Sequence, residues 1–305
     1  IYKPIQHFIM PETLLQAYIK LQSKYFDINK LMVKSTGKPV ATKSRSSSQK
    51  SFATVKKVLK NMRFVIALDF KEALFRKLKV QNLKGELCRF DENMELKNIH
   101  LGLSGDKMQV NMKANNLDTD KQQGTASIRI RNIDVRKLFY GMDNFDQKAI
   151  TSQNLEGKFD ADIIFATRFA DGYQIKPSSM TGKLDFSLRN GHLKNFEPLQ
   201  NISKFIFKNR DFTNISFDEL SQHATLKGIK LDISEMKIQS NVITLYVNGS
   251  YSFDNNVDLK IRVPWFNLRS NDKYLEALQK DPEHAKAIHI RAYTKAGKIS
   301  FGLGK

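Results

Sequence analysis

The sequence predicts a mainly β, antiparallel fold with one greasy side, and three runs between Met180 and Pro264 carry that expectation. Gly182-Lys183-Leu184-Asp185-Phe186-Ser187-Leu188-Arg189 alternates without a fault. So do Ile243-Thr244-Leu245-Tyr246-Val247-Asn248-Gly249 and Val257-Asp258-Leu259-Lys260-Ile261-Arg262-Val263, the last stopping at Pro264. Successive side chains of a strand face opposite ways, so each run presents one apolar face and one wet face. Asn190-Gly191 follows the first run as a turn. A meander of such strands leaves an apolar side that something must cover.

Bulk composition sets the bounds. At 305 residues the chain makes one large domain or two ordinary ones. A hydrophobic share of 41% and 21 Phe exclude disorder as a description of the whole. No window approaches the run of about 18 apolar residues that a membrane-crossing helix needs. The chain begins with Ile rather than Met, the mark of a fragment, so an N-terminal anchor would lie outside it. The single Cys88 excludes an internal disulfide framework and reads as a small, half-buried strand residue. A net charge of +19 and a pI near 9.8 imply attraction to polyanions: nucleic acid, anionic head groups or lipopolysaccharide phosphates.

In chain order, residues 1–33 form a helical and irregular N-terminal segment. Its helix is expected over Pro11 to Gln22, on Leu14, Leu15, Tyr18, Ile19 and Gln22. Residues 34–54 form a basic, Ser-rich linker, either a solvated loop or an anion-seeking arm. From Arg63 the β signal starts, with Phe64, Ile66, Leu68 and Phe70 on one face. Leu78, Val80 and then Leu83 to Phe90 follow, with Gly85 as a bulge or close approach. Met94 and Leu96 open a strand that shifts phase at Asn98 and continues through Ile99, Leu101 and Leu103. Met108, Val110, Met112 and Ala114 make the next, and Ala126, Ile128 and Ile130 another. Asp134 caps a short helix to Tyr140. Leu155 to Phe165 resumes period two. Asn195 to Asn209 makes an amphipathic helix on Phe196, Leu199, Ile202, Phe205 and Ile206. Asn271 to Lys280 makes a last helix, and Ile288 to Phe301 ends the chain in strands. An internal repeat matches Leu96, Leu101, Leu103, Met108 and Val110 to Leu231, Met236, Ile238, Ile243 and Leu245.

Catalytic chemistry has no constellation here. The six His are scattered, and the five-residue interval from His284 to His289 does not suit zinc on a helix face. Asp160 and Asp162 share a strand face but read as a solvated edge rather than an acid–base pair. No Ser lies in a Gly-x-Ser-x-Gly elbow, and no cofactor or metal site is expected. Nucleic acid is not expected either: Phe64, Phe159 and Phe186 fall opposite the basic residues, where a stacking platform would place them together. Covering is the open problem, since some ten strands have two or three helices to cover them. Either two sheets close as a sandwich or one curved sheet keeps an apolar trough.

The block Leu155 to Pro264 bears on that choice. Leu155-Glu156-Gly157-Lys158-Phe159, Met180-Thr181-Gly182-Lys183-Leu184 and Leu188-Arg189-Asn190-Gly191-His192-Leu193-Lys194-Asn195-Phe196-Glu197-Pro198-Leu199 come in order. Ile238-Gln239-Ser240 and Val247-Asn248-Gly249-Ser250-Tyr251 follow, and Leu83-Lys84-Gly85-Glu86-Leu87 through Gly105 and Asn111 precede them. This order resembles the C-terminal region of AsmA-like proteins, over residues 60–265. The resemblance implies a curved antiparallel β-groove with a few short amphipathic helices, spanning residues 55–264, with 265–305 as a terminal helix and strands. It implies a non-enzymatic phospholipid-transfer protein supporting outer-membrane biogenesis. The implied compartment is the periplasm of a Gram-negative bacterium, with an inner-membrane anchor absent from this chain. Phospholipids or other acyl lipids, the membrane surface and envelope proteins are the partners. Candidate acyl contacts are Leu101, Leu103, Met108, Val110, Met112, Ile128 and Ile130, then Leu184, Phe186, Leu188, Leu245, Val247, Leu259 and Ile261. The rival readings are an envelope scaffold that pairs its strand edge with a client β protein, and a basic nucleic-acid binder.

Overall fold

A computed structural model describes residues 14–30, 62–103, 106–117, 119–146, 150–170, 174–197, 199–200, 210–254, 256–264 and 287–304. The fold is mainly β, as the alternation predicts. Its strands are β1 (Leu15–Asp27), β2 (Met62–Phe75), β3 (Leu78–Phe90), β4 (Asn93–Gly102), β5 (Lys107–Asn115), β6 (Gln123–Asp134), β7 (Leu155–Ala170) and β8 (Gln174–Ile175). They continue as β9 (Thr181–Lys194), β10 (Asn214–Lys227), β11 (Lys230–Gln239), β12 (Thr244–Ser252), β13 (Val257–Pro264), β14 (Ala287–Lys295) and β15 (Lys298–Leu303). Neighbours in sequence are hydrogen-bonded neighbours, β8 alone leaving the path to pair with β7, and the path ends at β1 and β15. The described strands form one hydrogen-bonded path rather than two separate sheets.

The chain divides into two compact units, Ile1–Arg129 with Ile163–Met180, and Ile130–Asp162 with Thr181–Lys305. Strands β6 and β7 give residues to both.

In unit 1 the helix expected over Pro11 to Gln22 is, from Leu15 onward, a strand. β1 runs parallel to β2, with Leu15, Ala17, Ile19 and Leu21 opposite Met62, Phe64, Ile66 and Leu68. Leu15 and Ile19 satisfy either period, and a short isolated helix yields to a full ladder against a long neighbour. The sheet is therefore mixed at this edge, and Pro11 lies outside the described residues. β2 with β3, β3 with β4, β4 with β5 and β7 with β8 pair antiparallel. Asn98 adopts φ 51° and a bulge falls between Leu96 and Ile99, as the phase shift predicts. Gly85, at φ +155°, lets Ile99 cross over it; a Cβ there would lie 2.9 Å from Asn98 O. Cys88 is buried opposite Val65, and burial pushes its thiol up.

In unit 2, α1 (Val135–Gly141) begins at Asp134, whose Oδ1 accepts from Lys137 N at 3.1 Å, the expected cap. Asn190-Gly191 is no turn. β9 continues through it to Lys194, with Asn190 in the left-handed region at φ 51° and the register to β10 unbroken on either side. Gly191 then lies under the Phe217 ring, where a Cβ has no room. The Asn195–Asn209 helix begins as expected: Leu199 and Gln200 N–H donate to Phe196 O. Residues 201–209, the linker 34–54 and the Asn271–Lys280 helix lie outside the described residues. The main core gathers Ile215, Leu245, Val247, Ile261, Val263 and Ile290. Each such side chain contributes about 1.5–3 kcal/mol when fully buried.

The internal repeat is present, two residues off the expected alignment and longer than expected. Leu101↔Met108, Ile99↔Val110, Leu96↔Met112 and Met94↔Ala114 in unit 1 recur in unit 2 as Ile238↔Leu245, Met236↔Val247, Ile233↔Gly249 and Leu231↔Tyr251. The same separation carries Leu87↔Leu96 onto Ala224↔Ile233. Phe70↔Leu83 and Ala73↔Val80 recur as Leu188↔Leu220 and Gly191↔Phe217. Ladder β2–β5 is thus repeated as β9–β12, bulge included. The turn lengths set the register, and apolar spacing alone does not report them.

Candidate functional site

Because partners in a ladder share a face, the registers trace apolar rows across each unit. In unit 1 the row Ile19, Ile66, Leu87, Leu96 and Met112 crosses β1 to β5. Beside it stand Leu101 with Met108 and Ile99 with Val110. In unit 2 the row Leu184, Ala224, Ile233, Gly249, Leu259, Ala292 and Phe301 crosses seven strands. A second row runs Met236, Val247, Ile261, Ile290 and Leu303.

The predicted contacts divide by burial. Leu101, Met108, Val110 and Ile128 are half-buried, as are Leu184, Phe186 and Leu259 in unit 2, and Met112 is 41% exposed. Leu103, Ile130, Leu188, Leu245, Val247 and Ile261 are buried. Leu188 is covered by Val135 of α1 and by Phe217. Leu245, Val247 and Ile261 pack with Phe212, Ile243 and Leu199. The rows also contain residues the sequence argument left out of its site: Ile19 and Leu21 were assigned to a helix, while Ile66, Leu87, Leu96 and Ile99 were read as strand residues only. Period two over Leu15–Leu21 was the signal for the first two.

Opposite these rows the wet face carries cross-strand ion pairs: Arg63–Asp91, Lys97 and Lys113 on Glu95, Arg131–Asp162 and Arg189–Asp160. Asp160 and Asp162 are therefore salt-bridged on the wet face. The two lysines hold the Glu95 carboxyl below its ordinary range, through hydrogen bonds first. His223 Nδ1 lies 2.5 Å from Asp185 Oδ1, with both side chains well exposed. Ser221, next along that face, donates to Glu219 instead. No group of three or more metal-binding side chains occurs among the described residues. On the wet face of β12–β14 the Arg262 guanidinium lies 4.0 Å from the Tyr246 ring centroid, a basic–aromatic contact the expectation for Phe64, Phe159 and Phe186 did not cover.

Comparison with known protein families, curated proteins and solved structures returned no significant match. No described helix is long and apolar enough to cross a membrane.

Proposed function

We infer that this chain is a non-enzymatic lipid-binding and transfer protein, holding phospholipid acyl chains against the apolar face of its sheet. The observation that supports this most is solvent exposure left on the rows of unit 1. Ile19, Leu21 and Met112 remain 42%, 41% and 41% exposed, on the face that carries half-buried Leu101, Met108 and Val110. An acyl chain laid there gains about 0.8 kcal/mol per buried CH2 and asks for no directional chemistry. The AsmA-like resemblance supplies the setting: a Gram-negative periplasm and outer-membrane upkeep.

Native mass spectrometry of protein purified without detergent tests the reading. Phospholipid should travel with the chain and be lost in Val110→Asp and Met112→Asp, whose secondary structure should match the parent. A parent chain that emerges lipid-free, and takes up none from vesicles, rejects it. A second reading, strand-edge pairing with a client β protein, draws on edge strand β1, where Tyr18 and Tyr25 are 72% and 50% exposed. Steeply salt-dependent binding of nucleic acid without lipid is the outcome that a basic nucleic-acid binder gives.

A further inference from the structure

We propose that the wet face of β12, β13 and β14 in unit 2 binds a phosphoryl group. The case rests on a reference that the same unit contains. Arg131 of β6, Asp160 and Asp162 of β7 and Arg189 of β9 form a closed set, Arg131–Asp162 at 2.6 Å and Arg189–Asp160 at 2.6 Å. Its charges cancel. On β13 and β15 the sequence of β6 and β9 is echoed: Ile130-Arg131 answers to Ile261-Arg262, and Gly182-Lys183-Leu184-x-Phe186-x-Leu188 to Gly297-Lys298-Ile299-x-Phe301-x-Leu303. Where β9 goes on to Arg189, β15 goes on to Gly304, and β14 between them brings His289 opposite Arg262 and Arg291 opposite Lys260.

Arg262, His289, Arg291 and Gly304 line a concavity of about 690 Å³ together with Tyr246, Asn248 and Lys260. Register places Tyr246, Arg262 and His289 in one row, and Asn248, Lys260 and Arg291 in the next. Arg262 is stacked on Tyr246 and touches Glu235 at 3.4 Å. Arg291 is held by Asp258 through bonds of 2.8 and 3.1 Å. Lys260, between the two arginines, makes no ion pair among the described residues. Three cations thus face two carboxylates, with His289 alongside. A guanidinium held flat on a ring presents a fixed edge of N–H donors, and a lysine beside it adds a compact charge. A phosphoryl group, with three acceptor oxygens, satisfies both. Ile261, Ile290 and Leu303 of the second apolar row also line the concavity, and the charged side chains alternate with them along β13 and β14.

Titration of the full chain at fixed salt tests the proposal, with glycerol 3-phosphate in one arm and phosphatidylcholine vesicles containing phosphatidic acid in the other. Saturable binding should weaken about tenfold or more in Lys260→Gln and Arg262→Gln, and stay unchanged in Arg131→Gln of the neutral set. That pattern with the soluble ester assigns a free phosphate ester, and the same pattern with vesicles alone assigns a lipid head group. Each variant is checked by thermal unfolding. Lys260 is exposed, so Lys260→Gln decides the matter if Arg262→Gln unsettles Tyr246. The proposal is overturned if neither probe saturates, if acetate competes as well as the phosphate ester, or if Arg131→Gln weakens binding equally.

Discussion

Gly249 shows how much a single position decides in this sheet. At φ +134° it occupies backbone space that side chains rarely tolerate, and a Cβ there would strike Asp258 O and come within 2.9 Å of Leu259 Cα. Gly297, at φ +74°, has nothing within 4 Å of the same position. Gly249→Ala should therefore cost about 2 kcal/mol or more, and Gly297→Ala only about 1, read from urea unfolding midpoints. Glu95 makes a pH prediction. Its folded carboxyl is held low by Lys97 and Lys113, so the stabilisation is present above the unfolded value and lost as pH falls through the folded one. Acid unfolding of the parent below about pH 4 should be blunted in Glu95→Gln, measured by circular dichroism against pH. At this scale the sequence was readable where a residue type has one use, as at Gly85. It misled at Asn190-Gly191, because a left-handed Asn before Gly occurs inside this strand as well as in turns.

Among elements, α1 was legible from its cap and period, and it answers to a simple test. Asp134→Ala should remove about 1 kcal/mol of stability by freeing the Lys137 N–H, and calorimetric unfolding will report it. Strand β1 was not legible. Leu15, Ile19 and Tyr18 fit a helix, and only the ladder with β2, supplied from far along the chain, chooses the strand. Parallel pairing was equally hidden, since alternation says nothing about a neighbour's direction. The wet-face site of β12–β14 was half visible: Lys260 and Arg262 stood in the alternating run, but Tyr246 and His289 join them only through register. Alternation assigns the apolar side chains of each strand to one face. Which of them stay partly open, as Met112 does, depends on what packs over each unit, and no local pattern encodes that.

For the whole molecule, the proposed lipid binding rests on rows rather than on any one side chain. Single apolar substitutions such as Leu101→Ala should lower lipid occupancy by less than Met112→Asp, because neighbouring strands keep an apolar row intact while a carboxylate interrupts it. Lipid extraction followed by phosphorus assay distinguishes the two. The matched ladders of β2–β5 and β9–β12 have a consequence for how such a chain can change its size. Since the bulge between Leu96 and Ile99 and the pairs around it coincide with those between Ile233 and Met236, recombination between the two stretches would add or delete whole ladders and leave the junction bonded as before. Reach along the sheet would then grow in fixed increments, the way a bricklayer's course does, with no half-brick that fits.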